Sequence, residues 1–326
     1  MKVLIKIFRF LPPEGAHFIG LFLLKILDSI GLLHIFFPIR KTNFVPRNFF
    51  GLKFRNMLGV AAGLDKNGDF IDVLDSLGFG FIEIGTTTPE PQKGNPKPRV
   101  FRYNSSKAVI NRLGFNNKGV DYLASKIKKK KFNAIIGVNI GANKMSTNNK
   151  RIDDYRVCFE KIYQHADYVT VNISSPNTPE LRNLHDPEEL EKIFAGINRI
   201  KIKNGSKIPV FLKISPDEED ATIQKILKIY KELQISGLIV SNTSINKNIL
   251  NNCQHEGGIS GKPLFNKSSQ IIRKIKEIDN EVFVIGVGGV FSKDDYQKKI
   301  KDGASLIQVY TGFIYEGPSI VRNILS

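Results

Sequence analysis

Cysteine is scarce in this 326-residue chain, which has only Cys158 and Cys253, far apart and at no metal-ligand spacing. So few cysteines exclude a disulfide-built secreted scaffold and favour a reducing compartment. No cluster of histidines and cysteines has zinc spacing. The first apolar run is followed by no small-residue cleavage site, which argues against a secretory signal peptide. We therefore expect a protein of a reducing compartment that has no metal site.

Acidic residues are also few, because 48 lysines and arginines face 31 aspartates and glutamates, giving a net charge of +17. A charge of this size raises the question of nucleic-acid binding. Most of the excess, however, is lysine spread over residues 128–131, 201–207, 225–231 and 298–301, without interleaved aromatics. We interpret these lysines as solvated helix faces and expect no nucleic-acid partner. Attraction to anionic lipid remains an alternative.

A long apolar run covers residues 16–37 and is interrupted at Gly31. Its length permits a membrane span, but Lys25 and Asp28 lie in its middle, and each would cost about 2.5–3.5 kcal/mol at a bilayer centre. At 100° per residue these two fall on the same side as His17, opposite a wide apolar arc. The pattern favours an amphipathic helix at a membrane interface. Helices packed on the barrel and a true span stay open as alternatives.

From residue 57 onwards, a short apolar run with a polar or glycine-rich end alternates with a helical stretch. The runs are 57–61, 81–85, 134–140, 168–173, 210–214, 237–240, 282–286 and 306–310, and helical spacing is clear at 188–202, 220–233, 267–278 and 293–301. This alternation implies parallel strands with right-handed crossovers. Eight units predict an α/β fold, a (β/α)8 TIM barrel over residues 41–326, after an N-terminal helical extension at 1–40. An extra hairpin is predicted at 100–103 and 108–110, and a lid at 174–183.

The predicted strand ends carry polar groups, and in a barrel all of them face one mouth. The fourth run leads into Asn172, Ser174 and Ser175, while Gly288-Gly289 and Thr311-Gly312 follow the seventh and eighth runs, where barrels commonly hold a phosphate. Paired carboxylates are missing from these ends, and Lys66 and Lys213 supply positive charge. The mouth therefore suits an anionic heterocycle and a phosphorylated cofactor such as flavin mononucleotide (FMN).

Several blocks together resemble the dihydroorotate dehydrogenase family, in its membrane-associated, quinone-reducing class, nearly from end to end. The blocks are residues 61–68 (AAGLDKNG), 83–86 (EIGT), 97–102 (KPRVFR), 111–117 (NRLGFNN), 172–177 (NISSPN), 241–243 (SNT), 257–263 (GGISGKP) and 286–289 (GVGG). The segment 13–17 (PEGAH) resembles the start of the quinone-access helices of that class.

The resemblance implies roles for individual residues. The expected FMN contacts are Ala62, Gly63, Lys66, Thr86, Asn139, Asn172, Lys213, Ser241, Gly261, Gly289, Tyr310 and Thr311. The expected dihydroorotate contacts are Lys66, Asn111, Arg112, Leu113, Gly114, Phe115, Asn172, Asn177, Asn242 and Thr243. The expected quinone contacts are His17, Arg102 and Tyr310.

By the same resemblance, Ser175 is the catalytic base, with a proton relay towards Thr178. The soluble class carries cysteine at that position, so serine and the extension point to the quinone class. The resemblance further implies a monomer that is peripheral to the cytoplasmic side of the cell (inner) membrane. Two alternatives stay open: the same oxidation with a soluble acceptor, and a flavin barrel acting on RNA uridines.

Overall fold

A closed barrel of eight parallel strands forms the centre of the protein, in a computed structural model that describes residues 10–39, 45–128, 131–175 and 187–326. The barrel strands, in chain order, are β3 (Leu58–Val60), β4 (Phe81–Thr87), β7 (Ile135–Ile140), β8 (Tyr168–Asn172), β9 (Val210–Ile214), β10 (Gly237–Val240), β12 (Val284–Val287) and β13 (Leu306–Val309). They close in the order β10-β12-β13-β3-β4-β7-β8-β9. All eight predicted runs are strands, so the TIM barrel is confirmed.

Helices surround the barrel and cover its apolar outer surface. They are α1 (Pro13–Ser29), α2 (Leu33–Phe36), α3 (Ile71–Ser76), α4 (Val120–Ile127), α5 (Asn148–Ile162), α6 (Pro187–Lys203), α7 (Asp220–Ile229), α8 (Phe265–Ile278), α9 (Lys293–Lys301), α10 (Thr311–Glu316) and α11 (Ser319–Leu325). The four helices predicted from spacing are present, although α7 ends four residues before the predicted end at 233. The buried faces of α6, α7 and α8 carry isoleucine, leucine and phenylalanine at helical spacing, as expected of helices that pack on a sheet.

Aromatic side chains fill the amino-terminal end of the barrel. Phe81 and Tyr168 point inwards and pack with Phe54 and Phe211 in one apolar cluster. Their rings need the space that two glycines leave: a Cβ on Gly59 would lie 2.5 Å from the Phe81 ring, and one on Gly137 would lie 2.0 Å from the Tyr168 ring. The antiparallel hairpin β1 (Arg47–Phe49) and β2 (Leu52–Phe54) adds to this cluster. The opposite, carboxyl-terminal end is therefore the one left for a site.

A three-stranded antiparallel sheet stands beside that open end, in the order β11-β6-β5. Its strands β5 (Val100–Tyr103) and β6 (Ala108–Asn111) confirm the predicted hairpin. The third strand, β11 (Gly258–Gly261), was not predicted. It has four residues, of which two are glycines, so its own strand propensity is weak and pairing with β6 defines it.

Two polar side chains of the N-terminal helix α1 form hydrogen bonds to the barrel domain. In α1, His17 donates from Nε2 to the Leu64 carbonyl at 2.8 Å, and Lys25 donates to the Asp69 carbonyl at 2.8 Å. Large apolar side chains of the same helix are exposed instead, among them Phe18 and Phe22. The predicted break is confirmed, because Gly31 has a φ of +73° between α1 and α2. Among the described residues, no helix has the length and apolarity that a bilayer span requires.

Candidate active site

The carboxyl ends of the barrel strands open into a cavity of about 950 Å³, which we call the mouth cavity. It brings together every predicted cofactor residue except Asn139. It also includes Ser175 and all predicted substrate residues of the described chain except Arg112. Asn177, Thr178 and most of the predicted lid lie outside the described residues. Residues that are separated by more than two hundred positions in the sequence therefore share one concave surface, as barrel topology requires.

The two exceptions lie close to the mouth cavity but do not line it. Asn139 is fully buried one layer deeper, where its Oδ1 accepts hydrogen bonds from Thr86 Oγ1 at 2.6 Å and from Asn172 Nδ2 at 3.1 Å. It therefore orients two cavity residues. The side chain of Arg112 instead donates to the Pro98 carbonyl at 3.0 Å and is directed to the hairpin.

Glycines and short side chains form one end of the mouth cavity, between β11, β12 and α10. Gly289 has a φ of +75°, and a Cβ there would lie 2.5 Å from Phe265; Gly261 has a φ of +102°, and its Cβ would lie 2.3 Å from a carbonyl oxygen. Both positions thus require glycine. Thr311 donates to Ser260 Oγ at 2.8 Å beside them. Outside the strand ladders, no main-chain hydrogen bond of the described chain uses the N–H of Gly288 or Gly289, and donors at such a turn suit an anion.

Amide and hydroxyl groups form the opposite side. Asn172 Oδ1 accepts from Ser174 Oγ at 3.2 Å and from Asn242 Nδ2 at 3.3 Å, and Asn242 also donates to Ser174 Oγ at 3.0 Å. Ser175 follows directly, is only 5% exposed and lines the cavity. A hydroxyl that is almost inaccessible to solvent thus lies beside neutral hydrogen-bonding groups.

Two lysines supply the positive charge. Lys66 Nζ donates to the Gly63 carbonyl at 3.0 Å, and withdrawal from solvent lowers its pKa to about 8. Lys213 is 5% exposed on β9, and burial lowers its pKa from the ordinary value. Because both ammonium groups are largely desolvated, each attracts an anion in the cavity more strongly than a surface lysine would.

A second cavity, of about 1330 Å³, lies between α1 and the barrel, and we call it the helix cavity. It is lined mainly by apolar side chains of α1 and α10, and it includes His17, Arg102 and Tyr310, which are the predicted quinone contacts. Desolvation and the nearby Lys66 lower the pKa of His17 to about 4, so this imidazole is neutral at neutral pH. Burial raises the pKa of Tyr310 to about 12.

Three residues belong to both cavities: Lys66, Leu113 and Tyr310. The polar mouth cavity and the apolar helix cavity are therefore separated by single side chains. A group bound in the mouth cavity would lie within one side chain of a group bound under α1.

The family model for dihydroorotate dehydrogenase matches residues 45–326 of this chain. The chain belongs to the dihydroorotate dehydrogenase family. The matched region contains the whole barrel and the mouth cavity, whereas α1 and α2 lie before it.

Curated relatives extend the similarity through the N-terminal helices. The dihydroorotate dehydrogenase (quinone) of Legionella pneumophila (strain Lens) is 44% identical over 324 residues, which cover 97% of this chain and 95% of that protein. The protein of the same name from Coxiella burnetii (strain Dugway 5J108-111) is 44% identical over 323 residues, covering 97% and 92%. Among solved structures, ligand-free dihydroorotate dehydrogenase from Eimeria tenella matches with a TM-score of 0.85 and 32% identity, covering 94% of this chain and 92% of that one.

Two charged residues of this chain were not singled out from the sequence. Glu83 is fully buried inside the barrel, and Glu14 of α1 pairs with the buried Arg99 through a contact of 2.6 Å between Oε1 and Nη2. Glu83 had a detectable signal, since a carboxylate in the middle of an apolar strand run needs partners. The pairing of Glu14 with Arg99 joins positions 85 residues apart and had no such signal.

Proposed function

We propose that this protein oxidises (S)-dihydroorotate to orotate in pyrimidine biosynthesis, with FMN bound in the mouth cavity and a membrane quinone as the final electron acceptor. The single observation that carries the proposal is the pair of adjoining cavities, one polar and one apolar, with Tyr310 and Lys66 in both. Electrons can then pass from the polar cavity to the apolar one, so dihydroorotate and the quinone need not occupy the same cavity.

The mouth cavity fits FMN on features of this chain. Gly261, Gly288 and Gly289 form a surface on which a Cβ would clash, with main-chain donors suited to a phosphate. Inside the cavity, the buried Gln308 Oε1 has no hydrogen-bond partner in the described chain, which suits a ring N–H donor. Lys213 offers a cation to the electron-rich edge of the ring. Bound there, FMN would supply a two-electron acceptor for a hydride.

Dihydroorotate is a small cyclic imide with a carboxylate, and the other side of the mouth cavity matches those groups. Lys66 offers an ammonium to the carboxylate, while Asn111, Asn172 and Asn242 offer amides that donate to and accept from the imide edge. Arg112 would act by positioning its neighbours Asn111 and Leu113, because its main-chain N–H already donates to the Arg99 carbonyl at 2.8 Å and its own carbonyl accepts from Asn95 at 3.0 Å. Asn177 keeps its predicted role as a further contact.

Ser175 is the proposed base that removes the proton from C5 of dihydroorotate as a hydride leaves C6. A serine hydroxyl is a weak base in water, so the role requires exclusion of solvent and a path for the proton. The burial of Ser175 supports the first requirement. The predicted relay through Thr178 would supply the second.

The helix cavity would admit the quinone from a membrane. Its lining is apolar, and the exposed apolar residues of α1 lie on the outer side of the same helix. A helix that turns His17 and Lys25 to the protein and phenylalanines outwards suits the interfacial region of a bilayer. We therefore propose peripheral attachment to the cytoplasmic side of the inner membrane, as a monomer.

Anaerobic reduction of the bound flavin tests this function directly. The purified yellow protein is mixed with dihydroorotate, and the visible flavin absorbance is followed. Rapid bleaching that a quinone reverses, and that fumarate or NAD does not, is the expected result. Flavin that dihydroorotate fails to bleach would redirect the search to another substrate, with RNA uridines first. A protein that neither contains nor takes up flavin would overturn the proposal.

A further inference from the structure

Glu83 lies inside the barrel, in a layer between the aromatic cluster at the amino end and the mouth cavity. It is fully buried on β4 and accepts four hydrogen bonds. The donors are Asn139 Nδ2 at 2.8 Å, Gln308 Nε2 at 2.8 Å, Tyr168 OH at 3.1 Å and Thr170 Oγ1 at 3.2 Å. Three strands contribute these donors: β7 and β13 give one each and β8 gives two. Such a set satisfies an ionised carboxylate, which can only accept.

Lys213 is the charge that complements Glu83. Within the described chain, no hydrogen bond or ion pair engages its ammonium, and Glu83 is the carboxylate whose field acts on it. Burial lowers the pKa of Lys213, whereas Glu83 raises it. An isolated buried cation is costly, so a buried anion nearby is what allows Lys213 to stay charged.

The Glu83 carboxylate reaches the mouth cavity through one intervening residue. Asn139 donates to Glu83 with its amide nitrogen, so its oxygen is left to accept from Thr86 and Asn172, which both line the cavity. Gln308 donates to Glu83 and lines the cavity itself. The carboxylate therefore also fixes which way these amides point.

We propose that Glu83 is the buried counter-charge of the flavin site, which holds Lys213 in its cationic form, orients Asn139 and thereby sets the reduction potential of the bound flavin. The inference rests on the proposed function, because it requires FMN above Lys213. A hydride brings two electrons and one proton, so it adds one negative charge to the site. The Lys213 ammonium, which lines the cavity, favours that added charge across a poorly solvated barrel interior, and Glu83 contributes by keeping this lysine protonated. Glu83 is thus a positioning residue that acts through Lys213 and Asn139.

The test is the midpoint potential of the flavin in the intact holoprotein, measured by equilibration with reference dyes under a chemical reductant. This readout needs no turnover of dihydroorotate. Glu83→Gln keeps the shape but removes the anion that keeps Lys213 protonated. Because Lys213 lines the cavity and Glu83 does not, loss of the lysine's charge should dominate, and we expect the potential to become more negative. The expected shift corresponds to at least a tenfold change in the oxidation equilibrium, which is about 30 mV for a two-electron couple.

Three further variants separate charge from shape. Glu83→Asp keeps the charge with a shorter reach, and Thr170→Val removes one of the four donors but leaves the carboxylate; both should shift the potential much less than Glu83→Gln. The exchange variant Glu83→Thr/Thr170→Glu keeps one carboxylate in the same buried layer, allows the hydrogen bond between the two positions and changes no residue that lines the mouth cavity. It should return the potential towards that of the wild type.

The results of these measurements can overturn the role proposed for Glu83 without overturning the proposed function of the protein. An unchanged or more positive potential in Glu83→Gln, or an equal shift in Glu83→Asp, would overturn the counter-charge alone. If Glu83→Gln does not fold with flavin, the exchange variant provides the test. Flavin bound to the exchange variant at nearly the wild-type potential would support the proposal. Failure of the exchange variant to bind flavin would count against it. A wild-type protein that takes up no flavin would instead overturn the proposed function.

Discussion

The two adjoining cavities are built from different kinds of structure. Barrel strand ends and glycine turns form the mouth cavity, so its groups are held by main-chain hydrogen bonds of a closed sheet. The helix cavity has one wall made by α1, which buries only Ala16 and Leu21 of its seventeen residues. A rigid site suits a reaction in which atoms must be placed closely, whereas an apolar space behind a lightly packed helix suits a long, flexible and apolar reactant.

The largest effect is expected in the mouth cavity, from Ser175→Ala. Loss of general-base catalysis should slow flavin reduction by dihydroorotate by about 10²–10⁴-fold while flavin stays bound. Stopped-flow bleaching measures this step. As a control, flavin reduced by dithionite should be reoxidised by quinone at the wild-type rate. Bleaching at the wild-type rate would exclude Ser175 as the base.

A variant that fills the helix cavity should slow the other half-reaction, which is reoxidation of the flavin by quinone. Leu24→Trp places a larger ring in this space and should lower the rate of flavin reoxidation by quinone by about tenfold or more, because overpacking costs about 1–3 kcal/mol. Bleaching by dihydroorotate should not change. Phe22→Trp is the matched control, since Phe22 lies on α1, is 49% exposed and does not line the helix cavity. Equal loss in both half-reactions would mean that the two cavities do not function separately.

The outer face of α1 is tested by attachment to membranes. Phe22→Glu removes an apolar side chain whose burial is worth about 1.5–3 kcal/mol, so partition into vesicles containing anionic lipid should fall about tenfold to a hundredfold. Ile202→Glu is the control, because Ile202 is 75% exposed on α6, away from the N-terminal helices. Sedimentation with vesicles gives the measurement. Similar losses in both variants would contradict a membrane role specific to α1.

The smallest effect is expected from the ion pair between Glu14 of α1 and Arg99, which joins the N-terminal helix to the segment before β5. Partial burial alone would raise the pKa of Glu14, but Arg99 and the nearby Lys97 and Lys66 outweigh burial and hold it below the ordinary value. The stabilisation is therefore complete above the ordinary glutamate pKa and is lost as pH falls through the lowered one.

Glu14→Gln should accordingly reduce the free energy of unfolding at pH 7 by about 1.5 kcal/mol, the lower range for a hydrogen bond to a charged group. Thermal unfolding at several pH values measures this difference, which should shrink as the solution becomes more acidic. A difference that stays constant with pH would show that the charge of Glu14 does not contribute.

The barrel could be predicted from the sequence because its signal is local and repeated. Short β-branched runs such as those of β8 and β9 have a polar end, and eight of them with helices between allow few other folds. The mouth cavity followed from the same argument, since parallel strands of a barrel end on one side. β11 could not be predicted in this way, because its two glycines give no strand signal without β6 beside it.

The sequence by itself determined the alternation of strands and helices, the polar strand ends and the amphipathic character of α1, because each depends on neighbouring residues and on the periods of regular structure. Only the tertiary structure decided which face of α1 meets the barrel, that Lys66 and Tyr310 belong to both cavities, and that Glu83 collects donors from three other strands. Those facts depend on contacts between residues far apart in the chain, such as the 225 positions between Glu83 and Gln308, and closure of the barrel is what brings them within hydrogen-bonding distance.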